Sequence, residues 1–151
     1  NGMWGYKVID QNYKSTETLI RYLVSAAGKG ANLLLNVGPQ PNGELPEVAV
    51  QRMREMGEWL AQYGETIYGT EAGDIAQKEW GCTTRKDDRL FVHIFELEDG
   101  ALYLPLDCKV VDAKVFASGE PVKFKKVANG VVLETGVVAD EVDYIIELRT
   151  K

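Results

Sequence analysis

The hydrophobic period of this sequence changes once along the chain, and the change limits the folds that are open to it. Before residue 65 the apolar residues recur three and four positions apart, which is the period of an α-helix. After a connector that runs from Glu65 to Gly73, apolar and polar residues alternate, which is the period of a half-buried strand. The 151 residues therefore predict a helical part followed by an all-β part.

Two helices are predicted in the first part. The first begins at Ser15 or Thr16, either of which can cap a helix, and Gly28 suits the position just after its end. The second is predicted to have Pro46 in its first turn and to end at Gly64. Each has an apolar face at helical spacing, formed in the first by Leu19, Ile20, Leu23, Val24 and Ala27, and in the second by Val48, Val50, Met53, Met56, Trp59, Leu60 and Tyr63.

A short apolar run, Leu33–Leu35, lies between the two helices. It shows no alternation and is flanked by Gly30 and Gly38, which fits a strand buried on both faces of a parallel sheet. The order helix, buried strand, helix is typical of an alternating α/β architecture. One strand cannot form such a sheet, so we expect its neighbours to precede Asn1 and this chain to be the C-terminal part of a larger protein.

The loop Gly38–Leu45 follows this run at its carboxyl end and contains the turn-forming pair Asn42-Gly43. In α/β folds, ligands bind at the carboxyl ends of the parallel strands, so one interpretation places the loop at an active site. The other interpretation, of equal weight, is a plain connector with a tight turn. The sequence has no GxGxxG motif and no P-loop, so nothing in it supports nucleotide binding.

The second part predicts an antiparallel β-sandwich or a small barrel. Six strand-like segments follow at short intervals: RLFVHIFEL from Arg89, then ALYLPL, VVDAKVFA, PVKFKKVA, VVLET and VDYIIELR. Asp87-Asp88 and Asn129-Gly130 are predicted hairpin turns. His93 is expected to be half-buried. Alternation along the first segment separates two faces, with Leu90, Val92 and Ile94 on one and Phe91, His93 and Phe95 on the other.

Composition argues against several functions. A formal net charge of -6, with no basic cluster larger than Lys123–Lys126, disfavours nucleic-acid binding. The apolar runs are far shorter than the ~20 residues of a membrane-spanning helix, which disfavours a membrane partner. Cys82 and Cys108 lack metal-ligand spacing and could form one disulfide or remain free thiols. His93 is the only histidine, so no histidine pair can bind a metal or build a triad within the chain.

Several separated motifs occur in the first part in a fixed order. They are WGY at Trp4–Tyr6, YKS at Tyr13–Ser15, LVSAAGKG, NLLLNVGP, the Asn42-Gly43 pair and GEWLAQYGETIYGT, which ends at Thr70. In this order they resemble the end of the catalytic domain of the α-L-fucosidases of glycoside hydrolase family 29. The resemblance implies that residues 1–70 are the terminal portion of a (β/α)8 barrel and that residues 71–151 are the β-sandwich domain that follows it.

The resemblance further implies retaining hydrolysis of terminal α-L-fucose on fucosylated oligosaccharides or glycoconjugates, without a metal or organic cofactor. Such a reaction needs a nucleophilic carboxylate and an acid/base carboxyl roughly 5 to 5.5 Å apart. No carboxylate of this chain matches either family position, so both are expected upstream of Asn1, on the barrel portion that this chain would pack against. The chain alone is then expected to be inactive. The family also implies a secreted, periplasmic or lysosomal location.

Trp4 and Tyr6 are the residues from which we expect substrate contact, again through the resemblance. In the family an aromatic residue at the position of Trp4 lies at the barrel mouth, where an indole can cover the apolar face and methyl group of fucose. The alternative is that Trp4 packs beneath the loop as core. Asn36 is expected to hold the strand end by hydrogen bonding to its own loop. Four acidic residues are interpreted as structural, namely Asp10, Glu17, Glu44 and Glu47.

The sequence departs from the family pattern at two places, and one rival function competes with the enzyme. Met3 stands where relatives often have Ser or His, and the loop PQPNGELP lacks the Thr and Asp that many relatives carry near its middle. The rival is a non-catalytic carbohydrate-binding or structural β-sandwich module whose helical part is an interaction arm. The apolar helix faces are expected to drive dimerisation or aggregation of the isolated chain.

Overall fold

The computed structural model describes residue 2 and residues 4–151. The described residues form the helices α1 (Thr16–Gly28) and α2 (Glu47–Tyr63) and a 3₁₀ helix, Gly64–Thr66. The strands are β1 (Glu71–Ala72), β2 (Gly81–Lys86), β3 (Arg89–Ile94), β4 (Ala101–Leu104), β5 (Val110–Val115), β6 (Lys123–Val127), β7 (Gly130–Glu134) and β8 (Tyr144–Thr150). Among these residues no helix has the length and apolar character needed to cross a membrane.

The elements pack in three layers. The middle layer is an antiparallel five-stranded sheet in the order β1-β2-β3-β8-β5, and one outer layer is an antiparallel three-stranded sheet in the order β4-β7-β6. The two α-helices form the other outer layer, against the opposite face of the five-stranded sheet. The predicted antiparallel β architecture is therefore confirmed, as two packed sheets with a helical layer on one side.

The alternation of β3 divides its buried residues between two cores. Leu90, Val92 and Ile94 belong to the core between the two sheets. Phe91 belongs to the core on the helical side, together with Trp59 of α2. The faces predicted from the sequence are confirmed for these residues, and this part of the strand is buried throughout because both of its faces are covered.

The ends of α1 follow ordinary capping chemistry, with one correction. Ser15 is the N-cap, and its hydroxyl accepts a hydrogen bond from the Thr18 amide at 3.1 Å. Gly28, predicted to follow the helix, is instead its last residue, and the left-handed position is taken by Gly30 at φ 67°. The amides of Gly30 and the next residue donate to carbonyls of the last turn at 2.8 and 2.9 Å, which is the Schellman arrangement.

Gly28 is required by packing rather than by its backbone conformation. A Cβ atom at this position would lie 2.7 Å from the Cys82 Sγ and 2.9 Å from the Cys82 Cβ. Cys82 is fully buried on β2, and its thiol donates to the Val24 carbonyl of α1 at 3.5 Å. The missing side chain at Gly28 therefore lets α1 lie directly on the five-stranded sheet.

The buried strand predicted at Leu33–Leu35 is not formed. Residues 31–40 have no regular secondary structure, and the Leu34 side chain is 91% exposed. A strand needs a neighbour that donates and accepts its backbone hydrogen bonds, and none of the described strands lies beside this segment. The prediction of a strand is wrong for the described residues, because the segment has no pairing partner among them.

Apolar alternation does not reveal β2, whose sequence is GCTTRK. Its threonines are buried because their hydroxyl groups bond to the backbone of neighbouring loops. The Thr83 hydroxyl donates to the Ile75 carbonyl at 3.1 Å, and the Thr84 hydroxyl donates to the Thr66 carbonyl at 2.7 Å. A strand of this composition is recognised only once its partners are in place.

Both predicted hairpins form. The Asp87-Asp88 pair joins β2 to β3, and Asp87 takes the left-handed conformation at φ 55°. The second hairpin turns one residue earlier than the sequence suggests, on residues 128 and 129, since Gly130 already belongs to β7. A Cβ atom at Gly130 would lie 2.1 Å from the Leu104 carbonyl oxygen, so the close approach of β4 requires this glycine.

His93 is completely buried rather than half-buried, because the helical layer covers its face of the sheet. Its Nδ1 atom lies 2.7 Å from the Asp143 Oδ2, and its Nε2 atom lies 3.1 Å from the Thr84 Oγ1. The Thr84 hydroxyl donates its single proton to the Thr66 carbonyl. Nε2 must therefore donate to Thr84, which places a proton on this nitrogen.

The protonation of the other ring nitrogen, Nδ1, follows from the same reasoning. Because Nε2 carries a proton, Nδ1 of a neutral ring would be bare and would face a carboxylate oxygen at 2.7 Å. One further proton must lie between the two atoms, either on the ring or on Asp143. In both cases the His93–Asp143 pair is uncharged as a whole, which fits side chains that are 0% exposed.

Replacing Gly28 tests the contact between α1 and the sheet. Gly28→Ala should lower the free energy of unfolding by about 1 to 3 kcal/mol, since the added methyl group overpacks against Cys82. Gly57→Ala is the matched control, because Gly57 lies exposed on α2 with nothing within 4 Å of the added carbon. There alanine should be neutral or stabilise by up to ~1 kcal/mol. Urea denaturation measures both values, and equal effects would contradict the packing argument.

The proton on His93 can be observed directly. Nitrogen-15 NMR at neutral pH should show Nε2 bearing a proton, because Thr84 has none left to donate to it. Comparison with the spectrum of His93→Gln identifies the ring signals. A bare Nε2, with the ring proton on Nδ1 alone, is the result that would refute this hydrogen-bond assignment.

Candidate functional site

An open groove of about 380 Å³ lies where the N-terminal segment, residues 31–40 and the two α-helices meet. The N-terminal segment means residue 2 and residues 4–13. Small-ligand sites are usually apolar clefts with a few polar groups, and the groove has this character. Its lining includes four aromatic residues, four leucines and two cations: Trp4, Tyr6, Tyr13, Tyr22, Leu19, Leu33, Leu34, Leu35, Lys14 and Arg52.

The two residues predicted to contact a substrate both line this groove. Trp4 is 86% exposed, so its indole is not packed beneath the loop as the alternative interpretation required. Tyr6 is partly buried. The structure brings these two side chains to one site, and their contact with a substrate stays a prediction. Met3, the first departure from the family pattern, lies outside the described residues.

Asn36 holds the N-terminal segment rather than its own loop. Its Nδ2 atom donates to the Trp4 carbonyl oxygen at 2.5 Å. Gly38 lies against the same segment, where a Cβ atom would be 2.5 Å from the Tyr6 amide nitrogen and 2.6 Å from the Gly5 carbonyl carbon. The expected bond from Asn36 to its own loop is therefore wrong, because the side chain turns towards Trp4 instead.

The loop Gly38–Leu45 forms a compact turn. The Gln40 amide donates to the Glu44 carbonyl at 2.8 Å, and the Gly43 amide donates to the Gln40 carbonyl at 2.9 Å. The Asn42 side chain accepts from the Glu44 amide at 3.1 Å and donates to the Glu44 carboxylate at 2.8 Å. Gly43 takes φ 85°, which confirms the turn predicted at this pair. The start of the loop lines the groove, whereas its tip is held by its own bonds, as in a connector.

The carboxylates near the groove have structural partners. Asp10 accepts hydrogen bonds from the Gly2 and Asn12 amides at 2.8 and 3.2 Å, and the bond from Gly2 is the main reason that the pKa of its carboxyl is lowered. Glu17 pairs with Arg21 at 2.8 Å. No acidic side chain of the described residues lines the groove. Within residue 2 and residues 4–151, the groove therefore lacks the carboxylate pair that glycoside hydrolysis requires.

Glu55 joins α2 to the start of α1 beside the groove. Its carboxylate accepts hydrogen bonds from the Thr16 hydroxyl and, at 2.8 Å, from the Gln51 amide, and both bonds lower the pKa of the Glu55 carboxyl. The Arg52 Nη1 atom donates to the Glu55 Oε2 atom at 3.3 Å, and the Arg52 Nε atom donates to the Lys14 carbonyl at 3.2 Å. The Arg52 guanidinium is thereby held at the groove by Glu55 of its own helix and by the Lys14 carbonyl just before α1.

Several groove residues are not identified as site residues by sequence reasoning, and Tyr13, Tyr22 and Arg52 are the clearest examples. Tyr13 belongs to the YKS motif, but the motif does not tell which way the side chain points. Tyr22 follows Leu19 by three positions on α1, so its place beside the apolar face is the signal that could have found it. Arg52 interrupts the apolar face of α2, and only the packed pair of helices places it at the groove.

The cysteines and acidic residues form no redox or metal site in the described part of the chain. Cys82 and Cys108 are free thiols, so the disulfide that the sequence left open is not formed. Burial raises the pKa of the Cys82 thiol to about 12, and the nearby Asp143 adds to the effect. No group of three His, Cys, Asp or Glu side chains that could hold a metal ion occurs among the described residues.

The chain is similar to one family of known proteins. The family model described as Alpha-L-fucosidase matches residues 1–65. Plasma alpha-L-fucosidase of Homo sapiens is 30% identical over 143 residues, which is 87% of this chain. Alpha-L-fucosidase isoenzyme 1 from Paenibacillus thiaminolyticus matches 100% of this chain at 31% identity, with a TM-score of 0.88. Alpha-fucosidase of Thermotoga maritima in complex with fucose matches 96% of it at 31% identity, with a TM-score of 0.80.

The chain spans only about a third of the length of these relatives. It covers 31% of the human protein, 38% of the Paenibacillus thiaminolyticus chain and 37% of the Thermotoga maritima chain. Within this chain, the structural match to the Paenibacillus thiaminolyticus protein is complete. The likeness of fold therefore includes the helical layer and both sheets.

Proposed function

The chain belongs to the α-L-fucosidase family, and we propose on this basis that it forms part of a retaining glycosidase that removes terminal α-L-fucose from fucosylated oligosaccharides or glycoconjugates. The observation that carries the proposal is the aromatic groove. All residues that line it fall within residues 1–65, which is the part that matches the family model. The Thermotoga maritima relative was solved with fucose, which supports the same sugar here.

In this proposal Trp4 and Tyr6 form an aromatic wall of the fucose site. Fucose is a 6-deoxy sugar with an apolar methyl group and an apolar ring face, and an indole covers such surfaces well. The Trp4 side chain is 86% exposed and is therefore available to a sugar without rearrangement. The hydroxyl groups of Tyr6, Tyr13 and Tyr22 could donate to and accept from the sugar hydroxyls.

The two reactive carboxylates come, in this proposal, from polypeptide outside the 151 residues. A retaining mechanism needs a nucleophile and an acid/base group roughly 5 to 5.5 Å apart. The described residues place no carboxylate at the groove, and those nearest to it are engaged in turns and helix contacts. The relatives are about three times as long as this chain, which leaves room for both groups elsewhere.

The same proposal assigns residues 1–70 to the terminal portion of a (β/α)8 barrel and residues 71–151 to a β-sandwich domain. Its support is the apolar surface of the first part, where Leu34 is 91% exposed, Ile9 77% and Val8 67%. Apolar patches of this kind mark surfaces that are covered in the functional protein. In this proposal neighbouring barrel strands cover the leucine side of the groove and supply the backbone partners that residues 31–40 lack, whereas the aromatic side with Trp4 and Tyr6 stays open to the sugar.

The stereochemistry of the reaction tests the proposed function. The complete polypeptide should hydrolyse 4-nitrophenyl α-L-fucoside, and proton NMR should show the α anomer of fucose as the first product, before mutarotation. The β anomer as first product would exclude the retaining mechanism. Binding of fucosylated glycans without any hydrolysis would instead support the rival non-catalytic carbohydrate-binding module.

Trp4 can be tested separately from the reaction. In the complete polypeptide, Trp4→Ala should raise KM for the fucoside roughly tenfold, since an aromatic contact contributes about 0.5 to 1.5 kcal/mol beyond the area that it buries. Trp4→Phe should recover most of the loss because it keeps a ring face. Tyr103→Ala is the control, because Tyr103 lies on β4 of the far sheet and is 49% exposed. Equal KM values for Trp4→Ala and this control would remove Trp4 from the site.

A further inference from the structure

The N-terminal segment reaches the groove without a helix or strand of its own. Its internal bonds, such as those from Gly2 and Asn12 to Asp10, stabilise its own turns. Among the described residues, one hydrogen bond joins this segment to the rest of the chain, from the Asn36 Nδ2 to the Trp4 carbonyl. The position of Trp4 relative to the groove therefore depends on very few contacts.

The packing of Gly38 supplies the second contact. Its Cα lies so close to the segment that a Cβ atom would be 2.5 Å from the Tyr6 nitrogen and 3.0 Å from the Gly5 Cα. Gly38 does not have the left-handed conformation that favours glycine, since it is absent from the positive-φ residues of the chain. The glycine is thus needed for the close approach of two backbones and not for its own dihedral angles.

The Trp4 side chain itself contributes little to its own placement. An indole that is 86% exposed has few packing partners, so its location follows from where its backbone is held. Asn36 and Gly38 hold that backbone at two successive points, the Trp4 carbonyl and the Gly5–Tyr6 peptide. Both belong to residues 31–40, whose leucines line the same groove.

We propose that Asn36 and Gly38 are positioning residues that fix Trp4 over the sugar site, an inference that rests on the proposed fucosidase function. Neither residue needs to touch the substrate. They align the aromatic wall with the groove before the sugar arrives, so their loss should weaken binding of the fucoside more than it slows the chemical step.

Asn36→Asp is the most specific test, because it keeps the size of the side chain and removes the Nδ2 donor. An ionised carboxylate would face the Trp4 carbonyl oxygen and repel it. In the complete polypeptide, KM for 4-nitrophenyl α-L-fucoside at pH 7 should rise roughly three- to tenfold, which corresponds to one lost hydrogen bond, while kcat should change less than twofold. Below about pH 4 the introduced carboxyl becomes protonated and can donate again, so the KM difference from the unmodified protein should narrow.

Asn32→Asp is the matched control for the added charge. Asn32 lies exposed on the same segment, does not line the groove and makes none of the side-chain hydrogen bonds found in the described residues. Its KM should stay within about twofold of the unmodified protein at both pH values. An equal KM for Asn36→Asp and Asn32→Asp, or a KM difference that does not narrow in acid, would overturn the proposal.

Gly38→Ala tests the second contact by a different route. The added methyl group should push the Gly5–Tyr6 backbone away, and KM should again rise more than kcat falls. Gly57→Ala is the control on α2, where the added methyl group meets no neighbour. Hydrogen–deuterium exchange of the Asp10 and Asn12 amides, which donate hydrogen bonds within the N-terminal segment, should become faster in Asn36→Asp and in Gly38→Ala, and should not change in the two controls.

The exchange measurement separates this inference from the proposed function. Faster exchange in a protein that does not hydrolyse the fucoside would overturn the fucosidase proposal and the catalytic purpose of the two residues, while leaving them as anchors of the segment. Unchanged exchange in both variants would overturn the anchoring itself, whether or not the protein is a fucosidase. Hydrolysis with faster exchange and raised KM is the result expected if both proposals hold.

Discussion

The five-stranded sheet is covered on both faces, and this double coverage decides where the other elements lie. On the helical side the sheet carries ionisable side chains that are paired with one another: His93 with Asp143, and Arg89 with Glu147 through two bonds of 2.8 and 3.1 Å. Pairing of this kind makes the burial of charged side chains tolerable. Because Gly28 has no side chain, α1 can then rest directly on the strands.

The inner faces of the two helices pack against the five-stranded sheet, and residues on their outer side line the groove. Residues 31–40 and the N-terminal segment lie along that side with almost no regular structure, so their leucines and aromatic rings stay accessible. The sheets supply a rigid support, and in our proposal the groove supplies the surface that meets the sugar. Loops on a rigid support are the common location of binding residues, and the assignment of the groove follows this rule.

Structural features that depend on one segment of the chain can be predicted from the sequence. Features that depend on a contact between two distant segments cannot. Alternation in β3 separates its two cores, and Ser15 marks the start of α1. In contrast, β2 has a polar sequence and is buried only because its threonines find backbone partners elsewhere. The strand expected at Leu33–Leu35 fails for the opposite reason, since an apolar run has no strand character without a neighbour.

Local sequence is enough to predict the two classes of structure, both hairpins to within one residue and, through the order of the motifs, the likeness to α-L-fucosidases, because periodicity, turn chemistry and motif order are local properties of the chain. Tertiary structure decided that His93 is buried, that Asn36 bonds to Trp4 instead of its own loop and that Arg52 is held at the groove. These outcomes depend on which segments meet across the fold. A hydrogen bond or a close backbone approach over thirty or more positions leaves no period in the sequence, so it becomes visible only when the layers are assembled.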